Sequence, residues 1–531
     1  MDYHIIDVTD EGQIMVIVNH GPVLSNLYTS TKITPFEVEF SLSLESVMFY
    51  NPNVTWHDSW LAATAGDKPF ADVYKIQGLR GIYVASQIIN PHEDSRMIEP
   101  KDLQTKISFD QGAVWIPIKG PKTDEEGRDF TDCLDQDYKC NLHLSQQLSS
   151  KFPITRSIPI LTSKNAIGIV MASGNMGQTL TQKNNVFVSA DAGLSWHQVL
   201  KGSYFYNLGD HGGIIVAVKY FKTEGPTTDL LYSTDEGLNW KSLKFYDKPL
   251  RVYGLLTEPG ENTTTFTVFG TEHGVQGVDW IIITIDLKSV FERECTVEDY
   301  KRWSPNDNTK GKHRYCLLGR KEIYERRMVK SNCYNGRDYE RLISVENCRC
   351  QMNDFQCDFG FKRDSSWSNG CVLDEDYHHQ PYEPPARCPP GEFYNLTRGY
   401  IKIRGDSCEA GQSKVFEPQS VPCPIAEEKE FLLLSLRDRV VRINLRNFTD
   451  QEELPLEKVK NVISLEYDLE DGCIFYGDTN DRKIYKQCLN GSMVETVVQK
   501  TDTVEGTYFF LYFVSSFSLF AFFFFRTFRF I

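Results

Sequence analysis

Thiols are the most concentrated reactive groups in this chain. Ten of its fourteen cysteines, Cys295, Cys316, Cys333, Cys348, Cys350, Cys357, Cys371, Cys388, Cys408 and Cys423, fall in one segment. An even set at irregular spacing predicts disulfide chemistry, the staple of small extracellular domains with thin cores. Zinc would need close ligand pairs, and the one close pair, Cys348-Arg349-Cys350, has a gap shorter than zinc sites use. No metal and no cofactor are therefore expected. All ten are expected to pair among themselves, with a connectivity that sequence leaves open, while Cys133 with Cys140 and Cys473 with Cys488 form local bridges. Sequons at Asn53, Asn262, Asn395, Asn447 and Asn490 point the same way, because glycosylation requires the oxidising secretory pathway.

Groups that could catalyse have no comparable support in the sequence. Asp210-His211 could be half of a proton-transfer pair, but it precedes Gly212-Gly213 and no Gly-x-Ser-x-Gly elbow exists, so a strand-entry turn is expected. His378-His379 lies in a Pro- and Tyr-rich stretch and reads as solvated loop. Arg320, Arg326, Arg327 and Arg337 could grip an anionic substrate, yet they fall inside the cysteine-rich segment. No enzyme activity is expected. The net charge of −15 argues against nucleic acid as a partner and favours basic ligands.

The elements that must position these groups are mostly strands. From residue 1 to about 290 runs such as Gly213-Ile214-Ile215-Val216-Ala217-Val218 and Trp280-Ile281-Ile282-Ile283-Thr284-Ile285 alternate with short turns, and Leu142–Leu148 is predicted as a helical insertion. Within them Ser-x-Asp-x-Gly-x-x-Trp recurs as Ser108-Asp110-Gly112-Trp115, Ser189-Asp191-Gly193-Trp196 and Ser233-Asp235-Gly237-Trp240. A short carboxylate can accept turn amides, Gly supplies positive φ, Ser closes the loop and Trp packs beneath it. These boxes are expected to be structural. Trp115 and Trp196 are 81 residues apart and Trp196 and Trp240 are 44, which reads as two blades and then one blade of a β-propeller holding roughly six.

The ends carry their own expectations. Tyr3-His4-Ile5-Ile6-Asp7-Val8 opens the chain without a signal-peptide pattern, so Met1 reads as an internal start. No charge occurs from Gly506 to Phe525, before Arg526 and Arg529. That run is long enough for a membrane span, although its residue types are also those of an intron read as coding sequence.

The boxes resemble those of sialidases and of the sortilin family of sorting receptors, and the cysteine-rich segment separates the two. Asp299-Tyr300-Lys301-Arg302-Trp303-Ser304, Cys316-Leu317-Leu318-Gly319, Cys333-Tyr334-Asn335-Gly336, Cys357-Asp358-Phe359-Gly360-Phe361 and Gly405-Asp406-Ser407-Cys408 resemble the sortilin module, as do Gly209-Asp210-His211-Gly212-Gly213 and Tyr253-Gly254-Leu255-Leu256 upstream. Farther on, Leu465-Glu466-Tyr467-Asp468 and Phe475-Tyr476-Gly477-Asp478 resemble the start of an LDL-receptor-type propeller, departing from Tyr-Trp-Thr-Asp at three positions. The resemblance implies an all-β chain, with C-terminal blades of a sortilin-type propeller over 1–290, a ten-cysteine module over 291–425, the first blade or blades of an LDL-receptor-type propeller over 426–505, and a hydrophobic tail over 506–531. It also implies an incomplete ring and a sorting-receptor ectodomain that binds peptide, propeptide and secreted protein ligands. Such a receptor would act on the lumenal side of Golgi, endosome and cell-surface membranes. By position, Tyr3, His4 and Ile5 match the family's peptide-lining strand. An Asp-box glycosidase and a secreted structural or decoy ectodomain are the alternatives.

Overall fold

The computed structural model describes residues 3–500 except 22–23, 53–59, 90–97, 131–139, 153–157, 182, 260–261, 275–276, 306–315, 337–341, 365–369, 376–381, 386–387, 389–391, 424–430, 446, 469–470 and 490–491. Cys133, Asn53, Asn490, Arg337, His378, His379 and the 506–525 run lie outside the described residues. Among the described residues no helix is long and apolar enough to cross a membrane. The chain is mostly β with a few short helices, and it divides into two compact units, Met1–Pro381 with Thr397–Glu417, and Tyr382–Leu396 with Pro418–Ile531.

In the first unit five antiparallel sheets follow one another. The first runs Tyr3–Val8, Ile14–Asn19, Ser25–Ile33, Val38–Leu44, and the second Val73–Lys75, Tyr83–Ile88, Leu103–Ser108, Ile116–Pro117. In the third, Asn141–Leu144 and Leu161–Thr162 both line Val170–Gly177, which continues to Asn185–Ser189 and His197–Leu200. The fourth is Tyr204–Gly209, Ile214–Lys219, Asp229–Ser233, Lys241–Lys244, and the fifth is Arg251–Thr257, Thr265–Gly274, Gly277–Asp286.

Apolar runs in these strands bury both sheet faces. Ile215 and Ala217 join Met171, Val186 and Val188 of the third sheet, while Ile214, Val216 and Val218 join Val252, Phe266 and Val268 of the fifth. Ile82, Val84 and Ile107 likewise meet Leu142, Val170 and Phe187, and Met15 and Ile17 meet Tyr83 and Ala85. Each cluster thus joins one sheet to the next, and each fully buried side chain of this size contributes about 1.5–3 kcal/mol.

Two sequence expectations need correction. The boxes lie in the second, third and fourth sheets, consecutively, so the 81-residue interval holds one sheet plus an insertion rather than two blades, and among the described residues of 1–290 five sheets of three or more strands stand where roughly six blades are expected. Leu142–Leu148 is not one helix either. Asn141–Leu144 pairs with Val170–Gly177 as a strand, with Leu144 N donating to Thr105 Oγ1 at 2.8 Å, and helix begins only at Gln147. Burial of Leu142, His143 and Leu144 against the second sheet overrides helix propensity there.

The cysteine-rich segment is built from short ladders, including Tyr300–Trp303 with Arg320–Arg327 and Leu342–Asn347, and Phe355–Cys357 with Tyr400–Lys402. Its disulfides are Cys295–Cys333, Cys316–Cys348, Cys350–Cys408, Cys357–Cys371 and Cys388–Cys423, and Cys140 is also disulfide-bonded. The second unit holds a three-stranded sheet, Phe431–Ser435, Val440–Asn444, Asn447–Glu453, and a four-stranded one, Val462–Asp468, Cys473–Asp478, Lys483–Cys488, Glu495–Val498. Cys473 and Cys488 are cross-strand partners joined by a disulfide.

Candidate functional site

Among the described residues Tyr3–Val8 is the edge strand of the first sheet and pairs with Ile14–Asn19, in the register Tyr3 with Val18, His4 with Ile17 and Ile5 with Val16. Period-two alternation then decides which side chains are available. Tyr3 is 70% and Ile5 53% exposed, whereas His4 is half-buried and stacks on Phe49 with centroids 5.6 Å apart. The three residues therefore do not form one surface: two face outward and the third packs inward.

A bulge after Ile5 sets Asp7 toward the second sheet. Its Oδ2 accepts Lys75 Nζ at 2.9 Å and Tyr83 OH at 2.6 Å. Burial, reinforced by the Asp7 bond, pushes the Tyr83 hydroxyl well above its ordinary range. Lys75 and Asp7 form an ion pair. The edge offers unpaired main-chain groups flanked by an aromatic and an aliphatic side chain, a chemistry suited to adding an extended strand.

The boxes close their own hairpins. Ser189 Oγ donates to Asp191 Oδ1 at 2.9 Å and accepts Gly193 N at 2.8 Å, and Ser195 N reaches Asp191 Oδ1 at 2.8 Å. Asp110 receives Ser108 Oγ and Val114 N, and Asp235 receives Ser233 Oγ and Asn239 N, at 2.7–2.9 Å. In each box two successive residues are left-handed: Gln111 and Gly112, Ala192 and Gly193, Glu236 and Gly237. Trp196 and Trp240 donate Nε1 to Gly193 O and Gly237 O, both at 3.0 Å. Trp115 differs, because its Nε1 reaches Ser43 Oγ at 2.9 Å and Ser43 in turn donates to Gly112 O.

Environment separates the boxes further. Burial pushes Asp110 up to about 6. Asp235 is partly open, and donors from Asn239 and Ser233 outweigh its burial, holding it below the usual carboxylate range.

Closed this way, the corners present backbone carbonyls to the cysteine-rich segment. Arg326 Nη1 donates to Ala190 O at 2.6 Å, Nη2 pairs with Glu236, and the guanidinium lies 4.4 Å from the Trp303 ring centroid. Arg327 donates to Cys333 O at 2.6 Å, Gly213 O at 2.7 Å and Thr234 O at 2.5 Å. The Asp210 carboxylate accepts Asn335 N at 3.0 Å and Gly336 N at 3.2 Å, and His211 Nε2 lies 2.8 Å from Gly336 O. Burial pushes Asp210 up to about 6 against these donors. At the first box, Ala113 packs with Leu318 and Ile403.

From sequence, Arg326 and Arg327 are set aside as substrate-gripping groups because they fall inside the cysteine-rich segment, and Asp210-His211 reads as a turn. The structure commits all four to seating the cysteine-rich segment on the sheets. Only the adjacent positive φ values of Asp210 and His211 mark that seat locally, and no motif marks the arginines. Arg320 pairs with Glu322.

The remaining candidates lie apart. Asn395 is exposed on the strand Phe393–Leu396, Asn262 Oδ1 accepts Asn165 Nδ2 at 3.0 Å, and Asn447 begins a strand. Among the described residues the two clusters of metal-ligand type are Cys295, Asp299, Cys333 and Asp354, Asp406, Cys408, and every cysteine in them is bonded in a disulfide.

Residues 1–255 match the family model described as Sortilin, neurotensin receptor 3, and residues 257–423 match that described as Sortilin, neurotensin receptor 3, C-terminal. The chain is 38% identical over 502 residues to the sortilin-related receptor of Mus musculus, an alignment covering 94% of this chain and 22% of that protein. It is 32% identical over 366 residues to Mus musculus sortilin, covering 68% of this chain and 42% of that one. The chain thus spans about a fifth of the sortilin-related receptor. A GH74 enzyme of Niastella koreensis aligns with a TM-score of 0.23 at 9% identity, over 92% of this chain and 64% of that one.

Proposed function

From the premise that this chain belongs to the sortilin family of sorting receptors, we propose that it is part of a receptor ectodomain that captures extended peptide, propeptide or secreted protein ligands for transport between Golgi, endosome and cell surface. The five sheets are then successive blades of a sortilin-type propeller over 1–290, followed by the module over 291–425 and the start of an LDL-receptor-type propeller over 426–505. Anchoring would use the 506–525 run, and glycans would sit on Asn53, Asn262, Asn395, Asn447 and Asn490. In this reading the chain binds and does not catalyse.

The observation that carries the proposal is the edge strand Tyr3–Val8, with exposed Tyr3 and Ile5 flanking its main chain. A bound strand gains affinity from backbone pairing and selectivity from those two side chains. Fluorescence anisotropy with a labelled propeptide-like peptide tests this. Ile5→Arg and Tyr3→Ser should each weaken binding about tenfold, since about 1.4 kcal/mol of contact is removed, while His4→Gln changes it less. Unchanged affinity in both outward variants would remove the site from this strand.

A further inference from the structure

The loop Ile403–Cys408 makes one of the contacts between the cysteine-rich segment and the first two sheets, alongside Gln356, which bonds Gln13 and Ser30. Ile403 packs with Leu318 against Ala113, Arg404 Nε donates to Glu11 O at 3.0 Å, and Arg80 Nη2 donates to Gly405 O at 2.9 Å. From behind, the loop is pinned by two acidic residues. Ile403 N donates to Asp354 O at 3.0 Å, Cys408 N donates to Asp406 Oδ1 at 2.8 Å, and Cys408 is bonded to Cys350.

These two carboxyl groups face each other, with oxygens within 4.8 Å. Asp354 is buried, and the Asp406 side chain has no exposure. Asp354 Oδ2 accepts Gln351 N at 2.7 Å, whereas Asp406 Oδ2 is buried with no N–H or hydroxyl aimed at it. Two ionised carboxylates so placed require a cation or a proton.

The facing cation is Lys402, whose Nζ donates to Cys408 O at 2.8 Å and stands 3.8 Å from Asp406 Oδ1. One ammonium leaves one negative charge uncompensated. Of the other charged groups at the loop, Arg80 pairs with Glu11, and Arg404 is spent on the Glu11 carbonyl. A metal ion fits poorly, since Cys408 Sγ is in a disulfide and the ammonium would repel a second cation. Burial also pushes both aspartates above the ordinary carboxylate range, Asp406 toward neutrality.

We propose that Asp354 and Asp406 share a proton as a pH-sensitive latch, holding the Ile403–Cys408 loop on the first two sheets more tightly in a mildly acidic compartment than at neutral pH. The latch is independent of peptide capture at Tyr3–Val8. Both folded-state pKa values lie above the unfolded ones, so the stabilisation is present at acid pH and is lost as pH rises toward neutrality.

Hydrogen–deuterium exchange of the whole chain at pH 5.5 and 7.5, corrected for intrinsic rates, reads the latch in peptides spanning 403–408. The parent should be about tenfold better protected at pH 5.5, the equivalent of one pK unit of differential interaction. Asp406→Asn, and separately Asp354→Asn should the first variant fold poorly, should remove that difference. Equal protection of the parent at both pH values would overturn the proposal, as would retention of its pH dependence in a folded variant. Restoration of protection at pH 7.5 by millimolar calcium would also overturn it, by replacing the proton with a metal site.

Discussion

The box hairpins of the first unit and the Cys473–Cys488 hairpin of the second solve one problem differently. Each needs an acceptor for turn amides. In the boxes the carboxylate works locally: Asp191 receives groups from Ser189 and Ser195 only, four residues away at most. Asp478, fully buried, takes Asn480 N and Asp481 N on Oδ1 at 2.9 and 3.0 Å, and Lys460 N and Asn461 N on Oδ2, both at 2.7 Å. One side chain thus closes a hairpin and ties it to the preceding strand. In the first unit those tasks are separate, because Asp closes the corner while Arg326 and Arg327 reach the Ala190 and Thr234 carbonyls that the closed corners display.

The division of labour predicts a ranking. Arg327→Ala leaves three backbone carbonyls without their donor and removes the cation 4.0 Å from Asp210. Loss of one partner in a buried charged cluster costs about 3–5 kcal/mol, and denaturant melts should show the first unit losing that much while the second keeps its midpoint. Asp478→Ala should reverse the pattern, since four donors lose their acceptor. A loss of about 3 kcal/mol, confined to the second unit, is expected from unsatisfied buried amides.

Among the boxes the effect should follow burial. Asp191→Ala should cost about 2 kcal/mol and Asp235→Ala about 1 kcal/mol, within the range of about 1–3 kcal/mol for donors left without their acceptor. Asp191 is buried and Asp235 half-exposed. Equal losses would show that closure, not burial, sets the scale.

The smallest effect is titration of the Asp210 seat. Its folded pKa, about 6, lies above the unfolded value, so folded protein holds the extra proton. The stabilisation is complete below the ordinary carboxylate range and is lost as pH rises through about 6. Acidification from pH 7 to 5 should therefore stabilise the first unit by about 1 kcal/mol more in the parent than in Asp210→Asn, measured by thermal melts.

The legible parts of the molecule were those coded by side-chain identity. Ser, Asp, Gly and Trp at fixed offsets announced each box, and the thiols announced the stapled segment. The seat of that segment was not legible, because Arg326 and Arg327 bind Ala190, Gly213, Thr234 and Cys333 through carbonyl oxygens that any residue carries. The left-handed Gln111, Ala192 and Glu236 were hidden for the same reason, since only the following Gly signals the turn. Leu142, Leu144 and Leu148 suggested helix, but the alternation of the first two belongs to a strand whose partner lies some thirty residues downstream. At Tyr3-His4-Ile5 the sequence identified the strand, yet not that His4 turns inward onto Phe49.

The central claim is that the closed Asp-box corners are the seat of the cysteine-rich segment. A double-mutant cycle between Arg326 and Glu236 tests it most directly, since Glu236 belongs to the third box and Arg326 to the segment, and both side chains are largely buried. Denaturant unfolding of the parent, Arg326→Ala, Glu236→Gln and the double variant should give a coupling energy of about 1.5–3 kcal/mol, as for a charge-assisted buried pair. Additive losses, with no coupling beyond error, would contradict the account.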